Sequence, residues 1–282
     1  MSISSGATPA LGHSLDISST QPTPFLRLVR TELRKTWDTR AGFWLLLSTA
    51  ILTGLVMVIQ LWVVLVQDLE VSYNDFLTST NFSIALLLPV IGILLLTSEW
   101  SQRTAMVTFS LEPRRPLVIA AKLVVGIALA VAAVVIALVL ATVCNLLYGA
   151  MSGSAVEWDL SVLQTLSFVL LQVIGMLTGF AFAALLLSSP AAIVLYMVYS
   201  FVLPSIFGIG AARIGWFEDL QPWIDFNDAQ TPLIDATMTG EDWAQFAVSG
   251  FIWLVIPLAI GLWRVLRAEV KSGSEIGLRA KA

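Results

Sequence analysis

Charge is what this chain has least of. Only 12% of its 282 residues are Asp, Glu, Lys or Arg, whereas a soluble domain carries about a quarter. Hydrophobic residues make up 57% of the chain and the mean hydropathy is +0.87. So few charges cannot cover a water-facing surface, and the solvent of most of this chain is therefore lipid. With one cysteine, Cys144, no internal disulfide can form. The one histidine, His13, stands in a Ser/Thr/Pro-rich stretch and carries no expectation of metal binding or catalysis. No GxxxxGK[ST] phosphate loop occurs, which excludes ATP hydrolysis of that kind by this chain. HExxH, CxxC and GxSxG are absent as well, so no catalytic residue, metal ligand or cofactor-binding residue is assigned.

What is present is a series of apolar runs. A helix needs about 20 mostly apolar residues to cross the hydrocarbon core, and helices alone satisfy their backbone there without a closed barrel. Six stretches qualify: 42–65, 77–98, 123–147, 160–187, 191–209 and 243–263. The long uncharged stretch from Ser161 to Ala212 is divided by Ser188-Ser189-Pro190. Its first half is longer than a crossing requires, which predicts tilt or protrusion. Trp44, Trp100, Trp158, Trp243 and Trp263 fall near span ends, as interfacial anchors do.

Orientation is read from Lys and Arg. Arg27, Arg30, Arg34, Lys35 and Arg40 precede the first span. Arg103, Arg114, Arg115 and Lys122 lie between the second and third, and Arg264, Arg267, Lys271, Arg279 and Lys281 follow the sixth. Fourteen of the 15 basic residues thus share one side, with Arg213 alone opposite. The expectation is an all-α polytopic protein of the cell membrane with both termini cytoplasmic. Residues 1–23 lack a basic start and an apolar core and are read as a disordered cytoplasmic tail, not a cleaved signal. Residues 24–267 form the membrane domain, and 268–282 a cytoplasmic C-terminal tail.

Residues 24–40 predict an amphipathic helix in the membrane interface. Thr23 is placed to cap it and Pro24 suits the first turn. Phe25, Leu28, Val29, Leu33 and Trp37 share one face, and Arg27, Arg30 and Arg34 another. Between the second and third spans, Glu99 and Arg103 are four apart, the spacing of a helical ion pair. Pro113-Arg114-Arg115-Pro116 then forces a turn that presents two arginines to lipid headgroups or an acidic protein surface. The segment from Gly210 to Asp242 mixes acids with Trp216, Phe217, Trp223, Ile224 and Phe226, the composition of a packed cap with a short surface helix. Polar residues within the spans are mild. Thr53, Gln60 and Ser200 are candidates to line a pathway, with helix-to-helix hydrogen bonding as the competing role.

The wording RTELRKTWDTR, the six spans, Glu99-x-x-x-Arg103-Thr104 and the run EPRRPLVIAAK together resemble ABC-2 type permeases over about Phe25 to Arg267. These are membrane subunits of ATP-binding-cassette transporters, mostly exporters. The resemblance implies a second permease copy or homologue and separate ATPase subunits that hold ATP and Mg. It places a coupling helix within Glu99–Lys122, with Glu99, Arg103, Thr104, Glu112, Arg114 and Arg115 facing the ATPase. The helix bearing Phe25, Arg27, Arg30, Leu33, Arg34 and Trp37 lies beside it. A hydrophobic or amphipathic substrate such as a drug, antibiotic or lipid then passes along the first, second and fifth spans, and the 188–190 turn makes a minor cytoplasmic contact. Membrane lipid is a partner and nucleic acid is not. Two other readings remain: a stand-alone secondary transporter, against which the lack of charge inside the spans counts, and a membrane sensor or immunity protein that binds a ligand without moving it.

Overall fold

The computed structural model describes residues 23–102, 104, 108, 112 and 114–267. Apart from Thr23, the two expected tails lie outside the described residues, and so does Arg103. Helix α1 (Phe25–Asp38) precedes six helices long and apolar enough to cross a membrane: α2 (Arg40–Gln67), α3 (Tyr73–Ser101), α4 (Arg115–Ser152), α5 (Val162–Leu186), α6 (Ser189–Arg213) and, after the short α7 (Gly215–Ile224), α8 (Gly240–Arg267). No strand occurs among the described residues. The chain is thus a multi-pass, all-helical membrane protein.

Local chemistry accounts for the helix ends. Ser72 with Asp75, Ser161 with Gln164 and Thr239 with Asp242 form reciprocal capping boxes at the starts of α3, α5 and α8. Gly153, at φ 71°, ends α4 in the left-handed conformation that glycine adopts without steric cost. The break expected at 188–190 is a tight corner: Leu187 is left-handed, and α6 restarts with Pro190 in its first turn. Two π turns, Val198–Val202 in α6 and Phe251–Val255 in α8, each run up to a proline, Pro204 and Pro257. A proline withholds an N–H and crowds the preceding turn, so the ladder slips there by one residue.

Two expectations change. Thr23 does not cap α1, because the helix begins at Phe25 and Pro24 occupies the cap position without a side-chain bond. The Thr23 carbonyl instead accepts from Arg114 Nη2 at 2.9 Å. The fourth crossing has 25 residues, three fewer than the 160–187 stretch expected, and the third, α4, has 38.

Helices α3 and α5 form the centre of the bundle: 67% and 61% of their apolar windows are buried, against 17% for α2, α6 and α8. The outer helices expose rows of apolar side chains such as Ile51, Leu55, Val58 and Trp62 on α2. That is the surface expected of a protein whose solvent is hydrocarbon. Between α7 and α8, Phe226, Ala229 and Leu233 are buried and Trp253 Nε1 donates to the Ile224 carbonyl at 2.7 Å. Within the 210–242 segment, residues 225–233 are thus packed against the bundle, while Trp216 is left exposed on α7.

Candidate functional site

At the end of the bundle where α1, the end of α3, the start of α4 and the α5–α6 corner meet, four charges are gathered. Glu32 and Lys35 are one turn apart on α1. Glu99 comes from the last turn of α3 and Lys122 from two turns inside α4. Lys122 Nζ donates to Glu32 Oε2 at 2.6 Å and to the Leu95 carbonyl at 3.0 Å, and lies 3.3 Å from Glu99 Oε1. Lys35 Nζ donates to Glu32 Oε1 at 2.6 Å and to Glu99 Oε1 at 2.9 Å. Two carboxylates and two ammoniums balance, so the group is neutral as a whole. The Lys122 side chain is 2% exposed and both carboxylates 6%. Burial of Lys35 opposes its charge, but hydrogen bonds and attraction from Glu32 and Glu99 prevail and raise its pKa. One valence is left over: Glu99 Oε2 is buried and accepts no hydrogen bond from the described residues.

Of the residues expected to contact a coupling partner, Glu99 belongs to this cluster. The partners of Glu99 are Lys35 and Lys122; Arg103, its expected partner, lies outside the described residues. Thr104 N donates to the Glu99 carbonyl at 2.9 Å, continuing the chain from α3. Glu112 and Arg114 form a two-pronged pair, with Arg114 Nε to Oε1 at 2.7 Å and Nη2 to Oε2 at 3.0 Å. Hydrogen bonding from Arg114 holds the Glu112 carboxyl below its ordinary range, and the guanidinium is correspondingly raised. Arg115 Nη1 donates to the Leu266 carbonyl at 3.3 Å, tying the start of α4 to the end of α8.

On α1 the expected apolar face divides. Val29 and Leu33 pack against the core, whereas Phe25 and Trp37 are exposed. Arg27, Arg30 and Arg34 are exposed as expected, and Arg34 pairs with Asp38 at 2.9 Å. An exposed helical pair of this kind contributes only about 0.3–0.5 kcal/mol.

A cavity of about 360 Å³ lies beside the charge cluster, between α1, the first turns of α2, the end of α3 and Thr104 and Thr108. A second system of cavities opens within the bundle. Asn81, Ala85, Tyr196 and Asn227 line both a pocket of about 150 Å³, with Gln172 and Tyr199, and one of about 360 Å³, with Phe82 and Ser200. Pro89 explains its geometry. It has no N–H, so the Ala85 carbonyl four residues earlier loses its helical partner. Tyr196 reaches across from α6 and its hydroxyl donates to that carbonyl at 2.8 Å. Gln172 Nε2 donates to Asn81 Oδ1 at 2.8 Å and fixes the opposite wall. Tyr196→Phe should therefore strand a buried carbonyl and lower stability in detergent by about 1–3 kcal/mol. An unchanged melting transition would show that water or lipid already serves that oxygen.

Of the three residues proposed to line a pathway, Ser200 lies on this inner cavity system. Thr53 is buried and its hydroxyl is 2.9 Å from that of Ser83, a helix-to-helix bond between α2 and α3. Gln60 Nε2 donates to the Asp75 carbonyl at 3.2 Å. Sequence reasoning did not single out Asn81, Tyr196, Tyr199 or Asn227. The signal that could have found Tyr196 is Pro89, because a proline inside a span announces a carbonyl in need of a donor. Comparison with protein-family models and with curated proteins finds no match for this chain.

Proposed function

We propose that this chain is the membrane-spanning permease subunit of an ABC transporter of the ABC-2 type. On this reading it sits in the cell membrane with both termini in the cytoplasm and α1 in the cytoplasmic interface. It is not itself an enzyme. It exports a hydrophobic or amphipathic compound, such as a drug, antibiotic or lipid, while a separate subunit holding ATP and Mg performs the hydrolysis. A second permease, identical or homologous, completes the pathway.

The observation that carries this reading is the buried Glu32–Lys35–Glu99–Lys122 cluster. It welds α1 to the end of α3 and the start of α4, between which the expected coupling loop runs. A partner pressing on that loop would therefore move α1, α3 and α4 as one body, and α3 forms the bundle's centre and one wall of the inner cavities. The positive-inside rule supports the orientation, since Arg27, Arg30, Arg34, Arg114, Arg115, Arg264 and Arg267 share the cluster's end of the bundle. Apolar faces left open on α2, α6 and α8 are available to lipid and to a second permease.

The test is purification of the tagged chain in mild detergent. A stoichiometric protein with a phosphate loop, whose ATPase rate responds to this subunit, is the expected result. A homo-oligomer free of any ATPase across several detergents would overturn the reading in favour of a stand-alone transporter or sensor. Orientation has its own check in a Cys144→Ala background. A cysteine at the exposed Asp219 should react with an impermeant thiol reagent on intact cells, and one at the exposed Arg34 only after permeabilisation. The reverse labelling pattern would invert the topology.

A further inference from the structure

The cavity beside the charge cluster joins two kinds of wall. Leu45, Ile91, Leu94 and Leu95 supply hydrocarbon, and Glu99, Lys35, Gln102 and four threonines supply polar edges. Two valences on the polar side are open. Glu99 Oε2 is buried without a donor among the described residues. Lys35 Nζ uses two of its three N–H groups on Glu32 and Glu99, and its side chain is 42% exposed. Lys122, by contrast, has all three donors directed at protein oxygens. The chain that lines the cavity at Thr36, Thr39, Ala41 and Gly42 also exposes Trp37, Phe43 and Trp44. Exposed aromatic rings of this kind stand at the level of lipid headgroups.

We propose that this cavity binds one membrane phospholipid with a primary-amine headgroup, such as phosphatidylethanolamine. Its ammonium donates to Glu99 Oε2, its phosphate accepts from Lys35, and the upper part of an acyl chain lies on Leu45, Ile91 and Leu94. The complementarity is specific in sign. The cluster is neutral, so a net anion or net cation gains little, whereas a zwitterion answers both open valences together. A quaternary ammonium carries no N–H and leaves Glu99 Oε2 as it is. A lipid is favoured over a soluble zwitterion because the walls are largely apolar. Such a lipid would brace α1 against α2 and α3 at the joint described above. The inference goes beyond the transport reading and does not depend on it.

The experiment is native mass spectrometry of the full-length detergent-purified chain, titrated separately with phosphatidylethanolamine, phosphatidylcholine and phosphatidylglycerol of matched acyl chains. One retained phosphatidylethanolamine per chain is expected. The other two lipids should bind about tenfold more weakly, the size of one lost charge-assisted hydrogen bond. Leu94→Trp, which fills the cavity without touching the charges, should abolish that retention while the helical circular-dichroism spectrum is unchanged. If Leu94→Trp does not fold, Ser98→Phe fills the same space and must give the same loss. Equal retention of all three lipids, or undiminished retention in a folded cavity-filling variant, would overturn the proposal. Free phosphoethanolamine at the lipid's concentration should fail to displace it; displacement would assign the site to a soluble zwitterion and overturn the lipid assignment.

Discussion

Replacing Lys122 by Met is expected to destabilise the folded chain by about 3–5 kcal/mol, the range seen when one partner of a buried ion pair is removed. Lys122 is 2% exposed and directs all three of its donors at protein oxygens, whereas Lys35 directs two. Without it, Glu32 and Glu99 share Lys35 alone, and a net negative charge is held out of water. Thermal unfolding in detergent, followed by circular dichroism, measures the loss. The double variant Lys122→Met with Glu99→Gln restores neutrality around the Glu32–Lys35 pair and should recover most of the stability. A single variant that melts within about 1 kcal/mol of the parent would mean that water reaches the cluster and weakens the pair to a surface value. The contribution of Lys35 should be unchanged through the neutral range. Lys35 has a folded pKa above its ordinary 10.5, so its contribution is complete below that value and is lost as pH rises through the folded pKa.

Gly179→Ala should be nearly as damaging, for a steric reason. Helices α3 and α5 cross backbone to backbone at two glycines. A Cβ on Gly92 would stand 2.7 Å from the Met176 carbonyl oxygen, and one on Gly179 would meet Pro89 C and Cα at 2.9 Å. Neither obstacle is a side chain that can swing away. In lipid there is no hydrophobic drive to hold helices together, so close packing carries that task. The expected cost is about 3 kcal/mol, the upper part of the range for overpacking, read as a lower melting temperature and a smaller folded fraction on gel filtration. Gly54→Ala is the control: its Cβ would meet nothing within 4 Å on α2. There the better helix propensity of alanine should leave stability unchanged or raise it by up to about 1 kcal/mol. Equal effects at both positions would refute the account of the crossing.

How legible each feature was depends on how local its cause is. The run from 42 to 65 announces α2 because crossing a membrane requires apolar residues consecutive in sequence, and the helix extends that run only to Arg40 and Gln67. Lys122 marks the other limit. Read along the chain it is a positive residue at the mouth of the third span. In the folded protein it lies inside α4, because α1 folds back and supplies Glu32 from 90 residues away. Glu99 likewise has a sequence neighbour at helical spacing, Arg103, yet its oxygen bonds Lys35, 64 residues distant. Spacing rules capture pairs on one helix, and here α1 and α4 approach closely enough to supply cations from distant parts of the chain. Thr53 and Ser200 show the same division: both are polar residues in apolar runs, and only the packing of α2 on α3, and of α6 on α3, separates a structural hydrogen bond from a cavity wall.

From composition and hydropathy alone followed the all-helical class, the six helices long and apolar enough to cross a membrane and the corner at Ser188 to Pro190. Each of these follows from lipid's refusal of exposed charge and unpaired backbone, a demand made on consecutive residues. The tertiary structure decided which spans are central, which charges meet, where the cavities open and which glycines are indispensable. Those depend on helices that approach one another across tens of residues of intervening chain, where side-chain shape and complementary charge, not average hydropathy, select the partner.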